Sequence, residues 1–155
     1  MISIKNNQHK IAINESHLKK DVQIILDALG YPDFDIGIWL TTNATIRKYN
    51  RNYRHKDVPT DILSFPFYPE LKAGQKIKAA STDEQNLGDL IISLEYVQSD
   101  AKKLGITFND RMKRLLVHGI CHLLGYDHLT DKEYQIMIKK ERELITLLGV
   151  RKPIE

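Results

Sequence analysis

RLLVHGICHLLGYDH, residues 114–128, places three histidines and a glycine within and just beyond a strongly apolar segment. From Asn109 to Leu124 the apolar residues Leu115, Leu116, Val117, Ile120, Leu123 and Leu124 fall on most sides, which predicts a buried helix. Gly125 is its expected terminator, because glycine adopts the left-handed conformation at no steric cost. Residues four apart on a helix are rotated by about 40° and separated by roughly 6 Å along the axis, so His118 and His122 project from one face. A turn at Gly125 then lets His128 approach the same point. A lone histidine in an apolar helix ordinarily just packs. This joint spacing would arise by chance on the order of once in a thousand such chains, which favours a metal site.

Three nitrogen ligands suit one zinc ion in a catalytic site, where the fourth position takes water, whereas structural zinc has four protein ligands and often cysteines. Cys121 does not supply a fourth. On an ideal helix it lies about 100° from His122 and about 60° from His118, so it points past the metal and is read as a small buried apolar residue. The spacing matches the HExxHxxGxxH of metzincin peptidases, except that Gly119 stands where their glutamate takes a proton from water. Peptide hydrolysis therefore lacks its base. Met137 sits in a helical apolar stripe and is read as core, not as a Met-turn. Phosphodiester cleavage fits what is left, since zinc and a guanidinium both stabilise an anionic phosphate and its transition state.

Working outward, Ile2 to Lys5 alternate as a strand, and Asn14 or Ser16 caps a helix with Leu18, Val22, Ile25 and Leu29 on one stripe and Gly30 at its end. Ile36, Ile38 and Leu40 alternate as a second strand. Thr41 to Asn43 cap a helix that Pro59 punctuates. DILSFPF, Asp61 to Phe67, reads as a strand near a sheet edge, since Pro66 cannot donate to a central ladder. Residues 69–86 are polar and aperiodic and are expected to form a flexible flap. LGDLIIS, Leu87 to Ser93, is apolar enough for a central strand, and Tyr96 to Leu104 reads as a short helix. Thr130 and Glu133 form a capping box for a last helix with Tyr134, Met137, Ile138, Ile145 and Leu148 on its stripe. The fold class expected is α+β, a single layered domain over residues 1–155 with a small mixed sheet packed by helices and a metal site on the buried helix.

The 155 residues are 42% hydrophobic and 28% charged, ordinary for a soluble globular domain. The N-terminal MISIKNNQHK has no apolar core of a signal peptide, and no stretch approaches a membrane span, so export and membrane insertion are not expected. One cysteine excludes an internal disulfide and fits a cytoplasmic location. A net charge of +3 and a pI near 8.9 permit an anionic partner without requiring one. In RKYNRNYRHK, residues 47–56, Arg47, Arg51 and Arg54 recur at helical spacing and can line one face. Charge patterning alone favours solvated arginines opposite Ile46, Tyr49 and Tyr53, and spacing does not choose among the three.

Three blocks, PTDILSFP at Pro59 to Pro66, LGDLIIS at Leu87 to Ser93, and HGICHLLGYDH at His118 to His128, resemble the YbeY family of endoribonucleases in order and interval. The resemblance implies an α+β fold, zinc held by His118, His122 and His128, and an important arginine that falls on Arg54. It also implies single-stranded RNA as substrate, in maturing the 3′ end of small-subunit ribosomal RNA and in ribosome quality control, with the small ribosomal subunit as partner and no DNA. Asp127 either orients a ligand or handles a proton, or it merely holds the turn. A zinc peptidase with a substitute base and a non-enzymatic ribosome assembly factor are the rival readings.

Overall fold

The computed structural model describes residues 1–150 as one four-stranded mixed sheet with five α-helices. Strands β1 (Ile2–Asn6), β2 (Asp35–Thr41), β3 (Ile62–Pro66) and β4 (Asn86–Ser93) lie in the order β1-β2-β4-β3. The first two and β4 run parallel, and β3 pairs antiparallel to β4 at the edge, where Pro66 costs no central ladder bond. The expected α+β class and mixed sheet are therefore what the chain forms, with LGDLIIS central.

Helices α1 (Glu15–Leu29), α2 (Asn43–Arg54), α3 (Leu94–Leu104), α4 (Phe108–Leu123) and α5 (Asp131–Leu147) each begin on a side-chain cap. Asn14, not Ser16, caps α1 by accepting from the His17 N–H, and Thr42 does the same for α2. Helix α3 starts at Leu94, two residues before the expected Tyr96, because Ser93 is its cap. Helix α2 stops at Arg54, well before Pro59: His55 turns left-handed, and the His55 and Lys56 N–H groups bond back to the Arg51 and Asn50 carbonyls.

The main core lies between one face of the sheet and helices α1, α3, α4 and α5. Val22, Ile25, Ile38, Leu90, Leu116 and Ile120 are essentially sealed from water there. Among the described residues only α2 packs on the opposite face, burying Ile46 against Leu63 and Ile91. That face is thus covered at one end and bare at the other, a difference that shapes both cavities described below.

Residues 69–86, expected to form a flexible flap, are anchored to the rest of the domain at several points. The Tyr31 hydroxyl accepts from the Ile77 N–H at 3.1 Å, the Lys76 ammonium donates to the Leu29 carbonyl at 3.3 Å, and the Tyr68 hydroxyl donates to the Glu84 carbonyl at 2.6 Å. Leu71 and Ile77 pack on the main core. Polar composition hid these anchors because each is a single contact spaced along the segment, with no period.

Candidate metal centre

Helix α4 carries the first two histidines near its C-terminal end. Their Nε2 atoms stand 3.1 Å apart, and the rings meet nearly at right angles, at 83°. Gly125 follows the helix with φ of 90°, and a Cβ there would come within 2.2 Å of the Leu71 carbonyl oxygen, so only glycine makes this turn. The chain then brings His128 to 5.3 Å from His122 and 5.9 Å from His118, measured between ring centres. One nitrogen of each ring lies within 4.8 Å of the others.

These donors fit a tetrahedral ion. Two nitrogens bound at about 2.0–2.1 Å around a tetrahedral centre stand roughly 3.3 Å apart, close to the His118 to His122 separation. His118 Nδ1 lies 3.0 Å from the carboxylate of Glu141 on α5, which is 5% exposed. The carboxylate accepts a hydrogen bond from Nδ1–H, leaving Nε2 with its lone pair facing His122. Burial, reinforced by the neighbouring His118 and His128, holds the His122 pKa down at about 4, so this imidazole is neutral at physiological pH, as a ligand must be. Cys121 is fully buried in the core, as its helical angle predicted, and Met137 is core as well.

Gly119 has a packing reason. A Cβ there would meet Ile62 Cδ1 at 2.6 Å and Leu90 Cδ2 at 2.9 Å. The face of α4 that carries glutamate in the peptidase motif is pressed onto strands β3 and β4, so a carboxylate there would enter the core.

The histidines open into a cavity of about 650 Å³ also lined by Tyr53, Arg54, Asp61, Phe65 and Asp127. The three candidate arginines separate here. Arg47 makes a two-pronged ion pair with Asp57 at 2.9 and 3.3 Å, and Arg51 approaches the same carboxylate at 3.8 Å. Arg54 alone of the three lines the cavity. Asn50, buried beneath it, donates to the Val58 carbonyl at 2.9 Å and fixes the loop after α2. Asp127 Oδ1 accepts the His128 N–H at 2.8 Å, so holding the turn is the role that has a bond.

Two features escaped the sequence reading. Glu141 was one, though a carboxylate four residues after Met137 and four before Ile145, inside an apolar stripe, is its signal. The other is Arg111 on α4, which bonds Asp61 at 2.9 Å and Asp100 at 3.1 Å. That bridge fastens the start of β3 and helix α3 to the helix that bears the histidines.

An α+β domain whose buried helix and following turn gather three imidazoles, beside a cleft that Arg54 also lines, is one whose side chains could hold a metal ion. The Endoribonuclease YbeY family profile matches residues 3–149, and the chain belongs to the YbeY family. A human relative named Endoribonuclease YbeY is 40% identical over 148 residues, 96% of this chain and 88% of the relative. Another of that name, from Sulfurihydrogenibium, is 42% identical over 132 residues, 85% of this chain and 81% of its own. A Thermotoga maritima protein solved in solution is similar over 96% of this chain and 89% of its own, with 25% identity and a TM-score of 0.63.

Proposed function

We propose that this member of the endoribonuclease family is a zinc-dependent enzyme that cuts single-stranded RNA, maturing the 3′ end of small-subunit ribosomal RNA and acting in ribosome quality control. The observation that carries the reading is one cavity shared by three convergent imidazoles and Arg54, a cation with no ion pair among the described residues. His118, His122 and His128 would hold the ion. Zinc, when bound, supplies Lewis acidity and lowers the pKa of water towards neutrality. Arg54 contributes a planar fork that pairs with two phosphate oxygens and stabilises the charge that grows on them. Glu141 keeps His118 in the tautomer that points a lone pair inward.

A peptidase reading finds no support at Gly119, where the structure has apolar packing in place of a base. The test is cleavage of a labelled single-stranded RNA by wild type, His122→Ala and Arg54→Ala, with bound zinc quantified in each. The proposal expects His122→Ala to lose zinc and activity together, and Arg54→Ala to keep zinc while losing activity by about 100-fold or more. Equal cutting by all three would reject it, and RNA binding without metal-dependent cleavage would favour the assembly factor.

A further inference from the structure

A second cavity, of about 420 Å³, lies on the half-covered face of the sheet. That volume falls within the roughly 300–1,000 Å³ typical of small-molecule pockets. Its walls include Trp39, Tyr49, Tyr53 and Phe65, which form an unbroken series of ring contacts. Trp39 meets Tyr49 edge-on at 5.4 Å, Tyr49 lies parallel to Tyr53 at 6.1 Å, and Tyr53 meets Phe65 edge-on at 5.2 Å. Lys5, exposed on the edge strand β1, places its ammonium 4.4 Å from the centre of the Trp39 ring. Gly37 pairs with Asp89 in the ladder, and the Asp89 carboxylate lies across it, 2.2 Å from where a Cβ on Gly37 would stand. Asp89 forms part of the groove floor as an exposed carboxylate on a central strand.

This groove is continuous with the histidine cavity, because Tyr53 and Phe65 line both. We infer that the groove is a nucleobase subsite: a base of the RNA strand beyond the scissile phosphate stacks on this aromatic series, with Lys5 facing the backbone. The inference rests on the RNA-cleaving reading of the neighbouring site. Aromatic faces stack any base and a flanking cation meets phosphate, the combination by which single strands are held. Tyr53 is 65% exposed, an aromatic surface left open beside the cavity that Arg54 lines. Asp89, an acceptor, suits the exocyclic amino group of a base such as cytosine.

Trp39 is the chain's one tryptophan, so its fluorescence reports the groove directly. The zinc-loaded protein is titrated with a 2′-O-methyl cytidine octamer and with an abasic octamer of equal charge, while cleavage of unmodified RNA is followed in parallel. The cytidine octamer is expected to quench Trp39 and the abasic one to leave it unchanged. Tyr53→Ala and Lys5→Glu are each expected to weaken octamer binding about tenfold, with Lys5→Arg restoring it. Zinc-dependent cleavage with no base-dependent change at Trp39 would overturn the subsite and leave the proposed function standing. Loss of both cleavage and quenching would remove the two together. A Trp39 response to unstructured peptide and not to RNA would also overturn the subsite, assigning the groove to a protein partner.

Discussion

Glu141 reaches across from α5 to set its carboxylate 3.0 Å from Nδ1 of His118, and it does so from a buried position in an otherwise apolar stripe. A buried carboxylate is costly unless it is bonded, and the imidazole N–H is the bond it has. The pair links the last helix to the histidine cluster and fixes which nitrogen of His118 is available.

Loss of that carboxylate should therefore weaken metal binding before it weakens the fold. Glu141→Gln is nearly isosteric and is expected to lower zinc affinity by about 10–100-fold. Competition with a chromophoric chelator measures this without reference to activity. Unchanged affinity would mean that the helix alone orients His118.

Gly119 separates two effects. Gly119→Ala gains about 1 kcal/mol of helix propensity, which offsets the displacement of the Ile62 and Leu90 methyl groups, so its urea midpoint should move little. Gly119→Glu puts a carboxylate among those methyl groups and should destabilise by more than about 3 kcal/mol. It should also fail to cleave protein, although it completes the peptidase motif. Casein hydrolysis by a folded Gly119→Glu would contradict the packing argument.

Glu95 tests the electrostatics of the scaffold under Arg54. From the first turn of α3 it accepts the Asn43 N–H at 2.9 Å at the start of α2, and it pairs with Lys10 at 3.1 Å. The backbone hydrogen bond from Asn43 foremost, then Lys10, holds its pKa below the ordinary range. A lowered carboxyl pKa contributes stability that is present above the unfolded value, near 4.3, and is lost as pH falls through the folded value. Glu95→Gln should thus cost about 1 kcal/mol at pH 7. The gap from wild type should close on acidification, as read from urea melts at pH 7 and below pH 4.

Cys121 should be inert while the protein is folded. It is fully buried, and burial, followed by the nearby Glu141, raises its thiol pKa well above the usual range. A thiol reagent at pH 8 should leave the native protein unlabelled and modify the thiol once urea unfolds it. Rapid labelling of native protein would place Cys121 outside the core.

Elements with a short sequence period were readable at once. Leu18, Val22, Ile25 and Leu29 marked α1, and Ile36, Ile38 and Leu40 marked β2, because burial on one face repeats at the pitch of the local backbone. The anchors of residues 69–86 are not legible within that segment, because Tyr31 and Leu29 are contributed by α1 and the turn after it. Glu141 was passed over for the same cause: its partner lies 23 residues away on another helix.

The sequence by itself determined the helix that carries His118 and His122, the glycine turn that returns His128, and the absence of a base at position 119. Each of these depends on backbone geometry within about a dozen residues, which the order of side chains dictates. Spacing left open which arginine shares a cavity with the histidines, and the tertiary structure shows it is Arg54, the one the resemblance implied. Arg47, Arg51 and Arg54 share one helical spacing, but Asp57 engages the first two, while Arg54 lines the cavity into which the histidines open. The bare half of the sheet beside that site was likewise undecidable from spacing. It depends on strand order and on which face each helix covers, contacts between residues far apart in the chain whose arrangement no local period encodes.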